Sequence, residues 1–376
     1  MLRDVFITGC GRFLPGEPIA NDRMEEHLGQ IHGRPSLLGR RALRWNGIQT
    51  RHYALNDRGH EFESNAGMCA KSVRAALDAA GLSVKDLSFL ATATTQGDYL
   101  VPGHATAVHG ALGERSMEIA SFQSVCGSSL MAAKSAWLNV GAGEHNVAAA
   151  CAGEFSSRWF RPAFYEGTAL VDQKGRARAE ADFLRFTLSD GAGTVIMEPQ
   201  PRRDGLSLRV EFVDIVSFAD RFDPCMWAGA PIETRGDLAT GWGAGGPRAA
   251  HAAGAIALLQ DFTLLKRVIR AWVGAYLEKV DCKRIVPAAV DWLLCHYSAQ
   301  SLREEIVSLL EKTEGMVPQQ KWFSNLAWVG NVGSASIWLM LEEFWRSGRL
   351  QRGQKVLCVV PESGRALIGF MLLEAV

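Results

Sequence analysis

Two stretches of this chain resemble each other, and that limits the available folds more than any single motif. Cys126-Gly127-Ser128-Ser129 is followed by an apolar helical run to Gly143, an apolar strand over 146–152 and then Gly153-Glu154. Asn331-Val332-Gly333-Ser334-Ala335 is followed by a helical run to Gly348, a strand over 356–360 and Glu362-Ser363-Gly364. Two diverged copies of one unit put Cys126 and Asn331 at equivalent strand-to-helix turns, which pseudo-twofold packing brings to one centre. Hydrophobic periodicity elsewhere gives helices over 63–80, 103–112 and 127–140 and one long helix over 249–277, with strands over 5–9, 89–95, 117–125, 191–197, 290–294 and 366–373. Such alternation predicts an α/β architecture of layered sheets and helices. The halves are expected at 1–200 and 201–376, and no linker separates them, so one body is expected. The glycine-rich segment 222–246 reads as a long loop lining a channel.

Charge excludes little by addition and something by subtraction. Forty Lys and Arg balance forty Asp and Glu in 376 residues, so no global field recruits nucleic acid or an anionic membrane. No segment offers about 18 uninterrupted apolar residues, and the N-terminus lacks the pattern of a signal peptide. Eight cysteines occur without a C-x-x-C pair, which fits a reducing compartment, so a cytoplasmic location is expected. There is no metal-ligand cluster and no glycine-rich phosphate loop, so no cofactor is expected.

Three polar residues stand where an α/β fold presents chemistry. Cys126 lies where an apolar strand gives way to a helix of small residues, and a helix N-terminus favours a thiolate and can hold an oxyanion. Most free cysteines, however, are small buried hydrophobes. His296 follows the apolar run Trp292-Leu293-Leu294-Cys295. An imidazole there can donate to a thioester carbonyl, or simply be a hydrogen-bonded structural residue. Asn331 opens a helix and reads equally as an N-cap. Glu154, at the end of the strand after the nucleophile helix, is either a general base or the partner of an arginine such as Arg158 or Arg365.

Taken with their surroundings these residues resemble the β-ketoacyl-carrier-protein synthase III group of the thiolase superfamily. Ile7-Thr8-Gly9-Cys10-Gly11-Arg12-Phe13-Leu14-Pro15 is similar to its opening strand, Gly47-Ile48-Gln49-Thr50-Arg51 to its Gly-Ile-x-x-Arg element, and Ser189-Asp190-Gly191-Ala192-Gly193 to its D-G-A-G turn. The resemblance implies a thiolase fold, with duplicated βαβαβ halves stacked as five layers, αβαβα. It also implies Cys126 as acyl-accepting nucleophile, His296 and Asn331 as the pair that binds the carbonyl of a second thioester, and an oxyanion hole from the backbone of Cys126 and Gly364. An acyl carrier protein and acyl or β-ketoacyl thioesters as partners, and a homodimer, follow from the same resemblance.

The chain differs from that group in places that touch the site. Tyr297-Ser298-Ala299 follows His296, Pro361-Glu362-Ser363-Gly364-Arg365 stands for a glycine-rich turn, and Arg40, Arg41 and Arg44 precede Trp45 where a coenzyme A contact belongs. The arginines suit an acidic carrier or a pantetheine phosphate, or are an ordinary solvated helix face. These differences resemble the diverged synthases that join two acyl units into cyclohexanedione or dialkylresorcinol precursors. The alternatives are decarboxylative condensation with malonyl carrier protein, acyl transfer to an alcohol or amine, and a non-catalytic partner subunit. Phe122, Phe160, Trp227 and Trp242 are the expected walls of an acyl tunnel.

Overall fold

In a computed structural model of the chain, which describes residues 2–376, ten strands form one sheet. They are β1 (Phe6–Phe13), β2 (Phe89–Thr94), β3 (Glu118–Gln123), β4 (Ala148–Glu154), β5 (Gly191–Glu198), β6 (Leu208–Ser217), β7 (Trp292–Cys295), β8 (Trp322–Phe323), β9 (Lys355–Glu362) and β10 (Leu367–Ala375). From one edge the order is β3-β2-β4-β5-β1, then β6-β10-β9-β7-β8. Reading outward from the centre, the same topology occurs twice, each strand of the second half five places after its counterpart. The halves meet where β1 and β6 pair antiparallel, Phe6 opposite Arg209 and Ile7 opposite Leu208.

Seven helices frame the site: α1 (Gly39–Asn46), α2 (Asn65–Ala80), α3 (Ser128–Ala142), α4 (Ala179–Arg185), α5 (Phe262–Asp281), α6 (Gln300–Leu310) and α7 (Ser336–Arg346). Helix α3 packs on β2 and β4 of the first half and on β6 and β10 of the second, and α7 packs on β1, β5 and β7. These two are therefore a middle layer, with α2 outside one half and α5 and α6 outside the other, which makes the five layers of the thiolase fold.

Small residues make that middle layer possible. Strand β4 begins Ala148-Ala149-Ala150-Cys151-Ala152-Gly153 and is buried throughout, so helices approach both its faces closely. A Cβ on Gly193 would lie 2.6 Å from Cβ of Trp338, the largest fully buried side chain. On the outer face, a Cβ on Gly11 would fall 2.2 Å from the backbone nitrogen of Ala76 in α2. Backbone cannot yield as a side chain does, so Gly11→Ala is expected to cost about 3 kcal/mol of stability, measured as a lower midpoint in a urea melt.

The segment 249–277 is three elements rather than one helix. It holds the end of a short helix, Gly246–Ala252, then Gly254 in the left-handed region at φ +72°, the short strand Leu259–Gln260 and only then α5, capped by Asp261. Glycine punctuation and an N-cap aspartate outweigh the apolar periodicity that runs through them.

Candidate active site

Both third strands feed the site. Cys126 follows β3 and precedes α3, and Gly127 is the N-cap, where a Cβ would sit 2.3 Å from Cδ2 of Leu367. Asn331 occupies the matching place after β8, between Gly330 and Gly333, whose φ values of +79° and +50° favour residues without a Cβ. The Asn331 carbonyl accepts the Ser189 N–H at 2.8 Å, so the D-G-A-G turn holds it in place. Its side-chain Oδ1 accepts from the Gly333 N–H at 3.0 Å, which leaves the amide NH2 as the end available to a ligand.

Cys126, Glu154 and Asn331 line one cavity of about 540 Å3. Its walls are largely apolar, from Phe155, Trp159, Phe183, Leu184, Leu188, Met226, Leu258, Phe262, Leu265 and Leu302. A cavity of this size and character suits an acyl chain with its thioester. Beside it a recess of about 20 Å3 is lined by Cys126, His296, Ser298 and Ser363, room for about one oxygen atom or water. His296 is held by its backbone N–H, which donates to the Val359 carbonyl at 2.8 Å. Its Nε2 is buried without a hydrogen-bond partner. Burial lowers the imidazole to about 4, so the ring is neutral and Nε2 is free to meet a substrate oxygen.

Two sequence expectations change here. The helix N-terminus does not depress the Cys126 thiol; burial, followed by the charges of Glu362 and Glu154, pushes it well above the usual thiol range. The Gly127 N–H, one of the donors that would have stabilised a thiolate, is taken by the Glu362 carboxylate at 2.8 Å. Glu154 has neither arginine as partner. Arg158 pairs with Glu61 and Asp98, and Arg365 donates to the Phe222 carbonyl. Glu154 instead accepts from the hydroxyl and N–H of Ser334, at 2.6 and 3.1 Å, and from those of Thr95, at 2.9 and 3.1 Å. Burial still dominates and raises its carboxyl to about 7 despite those donors.

The four expected tunnel aromatics also lie elsewhere. Phe160 is buried in the main core, Phe122 lies on β3, Trp227 packs in a satellite cluster, and Trp242 is largely exposed. Among the described residues of segment 222–246, only Met226 reaches the cavity. Ser363 lines the cavity, whereas the neighbouring Gly364 gives its carbonyl to the Cys225 N–H. At the mouth, α1 packs on α4 and α6 and presents Trp45. Arg41 lies 4.4 Å over the Trp45 ring, and Arg40, Arg41 and Arg44 are all exposed. Sequence reasoning gave Glu362, Ser334 and Thr95 no role. The internal similarity held the signal for the first, since it aligns Glu362 with Glu154.

Comparison with known proteins agrees with this fold. Residues 281–372 match the family model described as 3-oxoacyl-[acyl-carrier-protein] synthase III C terminal. The chain is 25% identical over 352 residues to β-ketoacyl-[acyl-carrier-protein] synthase III of Rhodospirillum rubrum, covering 93% of each chain. Among solved structures, the tetronic acid condensing enzyme AbyA1 matches with a TM-score of 0.75 at 21% identity, over 98% of this chain and 99% of that one. A variant of OleA from Xanthomonas campestris matches with a TM-score of 0.75 at 16% identity, over 100% and 99%.

Proposed function

We propose that the chain is a condensing enzyme like the β-ketoacyl-carrier-protein synthases III it is similar to, which loads an acyl or β-ketoacyl group onto Cys126 and condenses it with a second β-ketoacyl thioester. His296 and Asn331 bind the carbonyl of the second thioester and stabilise its enolate, and Glu154 removes the proton. The observation that carries this reading is Glu154: a carboxyl raised to about 7, in the same cavity as Cys126 and Asn331. Decarboxylative condensation needs no such base, because loss of carbon dioxide generates the carbanion. A condensation of two keto units leaves a product able to cyclise to a cyclohexanedione or dialkylresorcinol precursor, and the similarity to a tetronic acid condensing enzyme supports a ring-forming outcome.

Recognition of the donor fits the mouth of the cavity. Three exposed arginines on α1 suit the acidic surface of a carrier protein or its phosphopantetheine phosphate. Reversing them together (R40E, R41E, R44E) is expected to raise KM for the carrier-bound donor about tenfold at low salt and leave KM for a short pantetheine-like thioester unchanged. Homodimer formation through the first half is part of the same proposal. Tyr99, Leu100 and Val101 are 63%, 74% and 82% exposed, beside the sheet-edge strand β3, an apolar run of the kind that interfaces cover.

The experiment for the proposed reaction supplies wild-type enzyme, loaded on Cys126, with either a β-ketoacyl or a malonyl carrier thioester. Product from the first without release of carbon dioxide supports the reading; product only from the second, with stoichiometric carbon dioxide, replaces it with decarboxylative synthesis.

A further inference from the structure

Glu362 ends β9 just as Glu154 ends β4, so the two occupy equivalent places in the two halves. Their contacts cross the molecule. Glu154 reaches the turn that follows Asn331, and Glu362 reaches the turn that carries Cys126. One Glu362 oxygen accepts the Gly127 N–H at 2.8 Å and the other accepts the Ser124 hydroxyl at 2.6 Å. The side chain is 2% exposed, and a Cβ on either Gly127 or Gly364 would crowd its oxygens at 2.9 Å. The backbone on both sides is therefore kept bare around this one carboxyl.

Among the described residues, its surroundings hold no compensating cation. Cys126 lies on the turn it binds and feels the charges of Glu362 and then Glu154, and His296 shares a recess with Cys126; Arg365, three residues on from Glu362, is engaged with the Phe222 carbonyl. Burial raises the Glu362 carboxyl, and its donors are hydroxyl and amide groups alone. Of the two carboxylates near the nucleophile, Glu362 acts on the thiol more strongly than Glu154 does. Glu154 already accepts from both polar groups of Thr95 and of Ser334.

Cys126 thus rests as a thiol and must lose its proton to react, next to a carboxylate bonded to the following residue. We propose that Glu362 takes the Cys126 proton as its sulfur attacks the donor thioester, and returns that proton to the departing thiolate. The Cys126 Sγ–acyl bond forms, the acyl–sulfur bond of the donor breaks, and the proton moves from Sγ to Glu362 to the donor sulfur with no oxidation or reduction. The two equivalent glutamates then divide the reaction, Glu362 serving acyl loading and Glu154 serving condensation. This step rests on the loading of Cys126 proposed above.

Two rates measured on the full-length protein test it. The first is acyl adduct formation from an octanoyl carrier protein, followed by rapid-quench intact mass spectrometry; the second is alkylation of Cys126 by iodoacetamide at pH 7. In Glu362→Gln the thiolate is no longer repelled, so alkylation is expected to rise about tenfold, one unit in thiol pKa. Loading is expected to fall about 100-fold for want of the proton acceptor. Glu362→Asp keeps the charge and is expected to load at an intermediate rate. Loading of Glu362→Gln at the wild-type rate overturns the inference, as does a parallel fall in both rates, which marks a structural role. Should the glutamine variant fail to fold, wild-type loading in Glu362→Asp overturns it in the same way. Absence of any adduct on wild type removes the loading reading of Cys126 itself, and this step with it.

Discussion

Mixing the wild-type protein with an acyl carrier thioester adds one acyl mass, and Cys126→Ala adds none. The loss should reach condensation as well, by about 10³-fold or more, because removing a covalent nucleophile abolishes the intermediate rather than slowing it. The structure gives the reason for so complete an effect. Cys126 is the one cysteine of the eight that lines the 540 Å3 cavity, so no neighbouring thiol can substitute. The other five buried cysteines serve packing: Cys69 and Cys151 lie between α2 and β4, Cys358 lies in β9, and Cys225 and Cys295 belong to the core of the second half. Cys126→Ser separates chemistry from space. Its hydroxyl fits the same place but leaves far less readily as an oxyester, so the variant should bind donor and stall. Intact mass spectrometry reads both variants directly, and an adduct on Cys126→Ala would move the nucleophile elsewhere.

The duplication is the reason so much of this site could be read from sequence. A strand-to-helix turn with small residues after it looks alike in both halves, so the sequence itself pairs Cys126 with Asn331. His296 was legible for a similar reason, since Trp292–Cys295 is an apolar strand that ends just before it. What lay beyond reach was set by contacts distant in sequence. The cavity walls come from α4, α5 and α6 and from short segments around Met226 and Leu258, and each such residue reads alone as ordinary core. The strand β6, absent from the sequence expectation, does show strand alternation, Leu208, Val210 and Phe212 with Arg209 and Glu211. The state of Cys126 was misread because local reasoning sees the helix N-terminus, while the opposing carboxylate arrives from a strand 236 residues later (362 − 126).

Glu154→Gln should leave loading of Cys126 intact and reduce condensation of two β-ketoacyl units by about 10² to 10⁴-fold, the usual span for a general base. The pH profile carries the more specific test. With its carboxyl at about 7, Glu154 acts as a base only when ionised, so wild-type condensation should rise with pH through about 7 and level above it. The residual rate of the glutamine variant should not follow that curve. Stability should move the other way. The folded carboxyl titrates above its unfolded value of 4.5, so between 4.5 and about 7 the folded state binds more protons and wild-type stability falls as pH rises. A glutamine amide at this position cannot ionise, so from pH 5 to pH 8 the midpoint of a thermal melt should fall less in the variant than in wild type. A buried carboxylate met by four donors from Thr95 and Ser334 yet still hard to ionise is a costly thing to keep for structure alone. A variant that gains stability at pH 8 while losing condensation and keeping acyl transfer would show that the cost serves proton removal. A variant that condenses at the wild-type rate would return Glu154 to the role of a strap between β4 and the Asn331 turn.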